Sequence, residues 1–124
     1  MSKQANKIVV VEDDVSMSRA IGRLLRTAGL QPIIFKSAEA LLRTNAVTGA
    51  GCLIFDIRLP GLSGLQLYRQ LKDAGSAPPV IFITANDSPS ARSQAQGIGA
   101  YIAKPFSGRS LLDAVKRALS SESA

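Results

Sequence analysis

Five short apolar runs alternate with stretches of helical periodicity along this chain, and that alternation limits the folds open to it. The runs fall at residues 8–11, 31–35, 51–56, 80–84 and 99–103. Between them, Met17, Ile21, Leu24, Leu25 and Ala28 repeat at the i, i+4, i+7, i+8, i+11 spacing of one helix face, and Gly29 supplies a stop. Ser37 predicts a cap for a helix over 38–42, with Glu39 in its favourable first turn. Leu65, Leu67, Tyr68 and Leu71 mark a helix after the turn at 60–64, and Ser88-Pro89 reads as a cap followed by a first-turn proline. The helix that follows, 90–96, has only alanines as apolar residues and is expected to be mobile. Ser107 caps a last helix lined by Leu111, Leu112, Val115, Ala118 and Leu119, after which residues 120–124 read as a frayed tail. Five repeats of strand then helix call for a parallel sheet covered on both faces by right-handed crossovers. The expected fold is a single α/β domain, ordered over residues 6–119.

The chemistry-bearing residues gather at the ends of these runs. Asp56 closes the run Cys52-Leu53-Ile54-Phe55 and is followed at once by Ile57-Arg58-Leu59-Pro60-Gly61, so a carboxylate stands where a buried strand breaks into a turn. Glu12-Asp13-Asp14 ends the run Ile8-Val9-Val10-Val11 in the same way. In a parallel sheet these carboxylates share the carboxyl edge, where open α/β sheets bind ligands. Crowded like charge of this kind calls for a cation. Thr84 and Lys104 close the fourth and fifth runs and complete the constellation. Taken singly, each has an ordinary reading: Asp14 as a helix cap, Asp56 as a turn residue, Thr84 as a strand terminus, Lys104 as a surface lysine and Tyr101 as half-buried core.

Composition narrows the chemistry further. A chain of 124 residues with 46% hydrophobic content is the size of one domain and has ample core. No apolar run approaches the roughly 20 residues that cross a bilayer, and the Met-Ser-Lys-Gln start lacks an apolar signal region, so a cytoplasmic location without membrane attachment is expected. The absence of histidine excludes histidine-dependent catalysis and histidine-ligated zinc, and the single cysteine, Cys52, reads as an inert core thiol. Fifteen Lys and Arg oppose nine Asp and Glu. Without the acidic cluster and Lys104, 14 bases face 5 acids, a strongly basic surface suited to acidic partners or nucleic acid.

Glu12-Asp13, Phe55-Asp56-Ile57-Arg58-Leu59-Pro60-Gly61, Phe82-Ile83-Thr84-Ala85 and Lys104-Pro105-Phe106 occur in this order at these strand ends. In that set the chain resembles the receiver domain of two-component response regulators over essentially its whole length. The resemblance implies a flavodoxin-like, doubly wound five-stranded sheet with five helices. It implies transfer of a phosphoryl group from a histidine kinase or histidine phosphotransfer protein onto Asp56, with Mg²⁺ held by Asp13, Asp56, the backbone carbonyl of Arg58 and Glu12, directly or through water. Thr84 and Lys104 would each hold a phosphoryl oxygen, Thr84 and Tyr101 would form the conformational switch, and Arg58 and Asn86 would flank the phosphoryl group and tune its lifetime. The chain would act as a phosphoacceptor that catalyses its own phosphorylation and dephosphorylation, not as a conventional enzyme. A phosphorylation-dependent homodimer is compatible with the family, and nucleic acid enters only through a separate output domain.

Two departures from the common family pattern stand out. Glu12 occupies a position more often held by aspartate, one methylene shorter, and the chain is basic where receivers are commonly acidic. A phosphohydrolase of the haloacid dehalogenase type also uses a strand-end aspartate, but it would want a second acid where Arg58 stands. A nucleotide-binding module is disfavoured because acids, not a glycine-rich loop, follow the first strand. The turn at Pro60-Gly61, Ser37-Ala38-Glu39 and Lys104-Pro105-Phe106 look like receivers of regulators that carry helix-turn-helix output domains.

Overall fold

The computed structural model describes residues 6–75, 77–85 and 88–123, with side chains as far as Ser120. Its elements run β1 (Lys7–Val11), α1 (Val15–Thr27), β2 (Gln31–Phe35), α2 (Ala38–Leu42), β3 (Cys52–Asp56), α3 (Gly64–Asp73), β4 (Val80–Thr84), α4 (Pro89–Gln96), β5 (Ala100–Ala103) and α5 (Gly108–Ser123). The five strands form one parallel sheet in the order β2-β1-β3-β4-β5. The doubly wound α/β fold expected from the alternation is the fold observed.

Alternation of side chains along each strand divides the core in two. Val9, Val11, Leu53, Phe55, Val80 and Phe82 face one layer, packed with Ala38 and Leu41 of α2, Leu67 and Leu71 of α3 and Ala95 of α4. Ile8, Val10, Cys52, Ile54, Ile81 and Ile83 face the other, against Ile21 and Leu25 of α1 and Leu111 and Val115 of α5. Strand β3 lies at the centre with all five residues buried. Polar groups can tolerate that position only at its carboxyl end, where Asp56 stands. Cys52 is fully buried, as expected of a core thiol.

Side-chain caps place the helix starts where the sequence suggests. Ser37 accepts from the Ala40 amide and Ser88 from the Ala91 amide, each at 3.1 Å, while Ser107 accepts from Ser110 at 3.1 Å. Ser63 and Gln66 form a reciprocal capping box at the start of α3. Asp14 caps α1 through the Met17 amide at 3.1 Å, so its ordinary reading is the one observed. At the other end of the chain, α5 continues to Ser123, past Leu119, where the sequence pattern ends the helix. Apolar periodicity stops there, but residues 120–123 contain neither glycine nor proline to break the backbone ladder. Helix α4 buries only Ala95 fully, in keeping with its lack of apolar anchors.

Candidate functional site

The register of β1, β3, β4 and β5 brings Glu12, Asp56, Thr84 and Lys104 to one edge of the sheet, as the strand-end reading requires. Val11 pairs with Phe55, Asp56 with Ile83, and Thr84 with Ala103. A cleft of about 470 Å³ opens there, lined by Glu12, Asp13, Asp14, Asp56, Arg58, Ala85 and Lys104. Glu12 and Asp56 are buried at 1% and 4% exposure, whereas Asp13 faces solvent.

Lys104 ties the buried acids together. Its Nζ lies 2.6 Å from Glu12 Oε1 and 3.1 Å from Asp56 Oδ2. The remaining carboxylate oxygens take backbone donors: the Asp14 amide at 3.1 Å to Glu12 Oε2, and the Arg58 amide at 3.1 Å to Asp56 Oδ1. Burial raises the Glu12 pKa from 4.5 to about 7; the Lys104 bond opposes that rise and the neighbouring Asp56 adds to it. For Lys104, burial works against the ammonium form, but the bonds to Glu12 and Asp56 outweigh it and raise its pKa. A half-buried lysine between two buried carboxylates is the electrostatic arrangement expected where buried charge needs a partner.

One carboxylate oxygen each from Glu12, Asp13 and Asp56 lies within 4.8 Å of the others. In an octahedral Mg²⁺ shell with ligands near 2.1 Å, neighbouring oxygens are about 3 Å apart and opposite ones about 4.2 Å. The three acids therefore fit a hard divalent cation after a small contraction, or with one water between Glu12 and the ion.

The loop after β3 is held close to Asp56. The Ile57 amide donates to Ile83 at 2.8 Å and the Gly64 amide to the Ile57 carbonyl at 3.0 Å. A Cβ at Gly64 would run into the Asp56 carbonyl oxygen, so only glycine lets α3 start this near the site.

Not every expected residue reaches the cleft. Thr84 is fully buried, and its neighbour Ala85 forms the cleft wall instead. The Thr84 carbonyl accepts the Lys104 amide at 2.7 Å, which aligns the ends of β4 and β5. Tyr101 is half-buried, with the Arg92 guanidinium of α4 5.2 Å from its ring centroid. Asn86 lies outside the described residues. The sequence reading missed the Glu12–Lys104 pair, because 92 residues separate the two and only the sheet register unites them. Ala85 stands in the sequence motif Phe82-Ile83-Thr84-Ala85 without a role of its own, and the structure gives it one as part of the cleft wall.

Comparison with known proteins identifies the family. The family model of the response regulator receiver domain matches residues 8–116. The chain belongs to that family. Nodulation protein W of Bradyrhizobium diazoefficiens is 41% identical over 110 residues, covering 87% of this chain and 48% of that protein. The response regulator protein TodT of Pseudomonas putida is 38% identical over 121 residues, covering 96% of this chain and 53% of TodT. Among solved structures, the response regulator StyR is similar with a TM-score of 0.85 at 34% identity, over 94% of this chain and 60% of StyR. The chain thus spans about half the length of the relatives it matches. It is a receiver domain of two-component response regulators, with an acidic group able to bind a metal and, among the described residues, no helix long and apolar enough to cross a membrane.

Proposed function

We propose that Asp56 of this receiver accepts a phosphoryl group from a histidine kinase or histidine phosphotransfer protein, with Mg²⁺ held by Glu12, Asp13, Asp56 and the carbonyl of Arg58. The observation that carries this is the buried Asp56 carboxylate lining the cleft, 3.1 Å from Lys104 and beside two further acids. An Asp56 oxygen attacks phosphorus, the bond from phosphorus to the donor's imidazole nitrogen breaks, and the imidazole leaves with that electron pair. The product is an acyl phosphate on Asp56. Bound Mg²⁺ would neutralise charge on the transferring phosphoryl oxygens. Lys104 passes from the two carboxylates to a phosphoryl oxygen as negative charge builds there. Glu12 and Asp13 are the other metal carboxylates, and the cleft admits the donor because Asp13, Arg58 and Ala85 are exposed at its rim.

Thr84 has a separate role in this reading. Its side chain is buried and absent from the cleft wall, so a hydroxyl that binds the phosphoryl group must first move toward it. That movement would leave room beside Tyr101 and couple the site to α4, where Arg92 lies over the tyrosine ring. Arg58, exposed at the cleft two residues past Asp56, and Asn86, two past Thr84, would tune the lifetime of the acyl phosphate. The switch then controls a partner or an output domain, as the response regulator names of the longer relatives suggest.

Acetyl phosphate with Mg²⁺ tests the assignment directly by intact-protein mass. Wild-type protein should gain one phosphoryl group, and chelation of the metal should abolish the gain. Labelling of Asp56→Asn to the wild-type extent would sink the proposal.

A further inference from the structure

A carboxylate from another layer of the fold reaches the loop that follows Asp56. Glu39, in the first turn of α2, accepts the Leu62 amide through Oε2 at 3.1 Å. Beside it, Gly61 sits at φ +76, and a Cβ there would lie 2.6 Å from the same Glu39 oxygen. The left-handed backbone and the lack of a side chain together let the loop close onto the carboxylate. Among the described residues, this is the one hydrogen bond from another element to residues 59–62 of the loop. The base of the loop is held separately, by Ile57 to Ile83 and Gly64 to Ile57. The Leu62 amide, ahead of Glu39's own amide, holds the carboxyl below the usual range, so it stays an anionic acceptor.

We propose that Glu39 is a positioning residue for the phosphoacceptor site, a strut from α2 that fixes the loop carrying Arg58 and so sets how tightly the site takes its metal. The inference rests on the reading of Asp56 and its metal ligands given above. Its physical basis is that a ligand atom on a loop binds well only when the loop already holds it in place, so freedom in the loop appears as lost affinity. Arg58 is tied to Asp56 through its own amide, and four residues later the chain is tied to Glu39. With the second tie cut, Arg58 to Leu62 would hang from the loop base and from the packing of Leu59 and Leu62 against the core.

The test pairs hydrogen exchange of the metal-free protein with Mg²⁺ titration for Glu39→Ala, Glu39→Gln and Gly61→Ala. Glu39→Ala should speed exchange at residues 58–62 and weaken Mg²⁺ by about three- to tenfold, at or below the roughly 10- to 100-fold seen when direct outer-shell partners are removed. Acetyl phosphate labelling should slow at limiting Mg²⁺ and recover at saturation, because the defect lies in metal affinity and not in the nucleophile. Glu39→Gln keeps an oxygen acceptor and should stay near wild type. Gly61→Ala should weaken Mg²⁺ too, and adding Glu39→Ala should restore part of that loss by removing the clash.

A charge that merely favours the start of α2 predicts something else: Glu39→Ala and Glu39→Gln would lower thermal stability alike and leave loop exchange and Mg²⁺ affinity unchanged. That result overturns the strut. If Glu39→Ala fails to fold, Glu39→Leu, which keeps the bulk but offers the Leu62 amide no acceptor, takes its place, and loop exchange and Mg²⁺ affinity equal to those of Glu39→Gln overturn the proposal. If the wild-type protein takes no Mg²⁺ at all, the reading of the metal site fails instead, and loop exchange alone then judges the strut.

Discussion

Glu12 is buried beside a second carboxylate and a lysine, and its proton answers to all of them. Burial raises its pKa from 4.5 to about 7, with Lys104 and the Asp14 amide opposing the rise and Asp56 adding to it. The unfolded chain releases this proton near 4.5 and the folded chain near 7, so in that window the folded state binds more protons and stability falls as pH rises. A cation needs the deprotonated carboxylate, so Mg²⁺ affinity should climb as pH rises through about 7 and level off above it. Isothermal titration across this window should show the rise in wild type and a weaker, flatter profile in Glu12→Gln; a flat wild-type profile would refute the role given to Glu12. The four acids are legible in the sequence because each ends or follows an apolar run, which local pattern alone reveals. The Lys104 contact with Glu12 and the Glu39 contact with Leu62 are not, since each depends on how distant elements pack. Glu39 in particular looks complete as a first-turn helix acid, and nothing local hints at a second duty.

Helices in this fold differ sharply in how they are anchored. Helix α3 has a reciprocal capping box and buries Leu65, Leu67, Tyr68 and Leu71, so its start is a defined point of stability. Ser63→Ala should destabilise the domain by about 1 kcal/mol, seen as a lower thermal midpoint with Mg²⁺ binding unchanged. Helix α4 has a side-chain cap and a first-turn proline, yet buries only Ala95 fully. Weak anchoring means that small differential contacts can shift its population. Beryllofluoride with Mg²⁺ should therefore move backbone NMR signals most at Thr84, residues 90–96 and Tyr101, where Arg92 faces the ring. Shifts confined to residues 38–42, with none near Thr84 or Tyr101, would defeat this coupling. The elements themselves were readable from periodicity and caps, because a parallel sheet covered on both faces leaves long apolar runs and clear helix stripes. The end of α5 was not, because the helix outlasts the apolar face that marks it.

Charge is distributed unevenly over the whole molecule, with a net charge of +6 in spite of an acidic cleft. Arg19, Arg23 and Arg26 are exposed on α1, the helix that begins directly after the acidic residues and is capped by Asp14. Their i, i+4, i+7 spacing makes one stripe, on the side of α1 away from the buried Ile21 and Leu25. A stripe of this kind steers an acidic partner surface toward the cleft and raises the association rate, with little effect on contacts once docked. Screening should remove that advantage, since the Debye length falls to about 8 Å at physiological ionic strength. Phosphotransfer from a histidine-bearing donor should then slow steeply as salt rises, and Arg19→Glu with Arg23→Glu should slow it further at low salt. Acetyl phosphate is too small to need this surface, so its labelling of Asp56 should be the same in the double mutant and wild type. A nucleic-acid role for the stripe predicts instead a salt-sensitive DNA affinity of the isolated chain that the double mutant loses. Measuring donor transfer, acetyl phosphate labelling and DNA titration on the same pair of proteins separates these cases. Unchanged donor transfer in the double mutant would reduce the stripe to a solvated helix face.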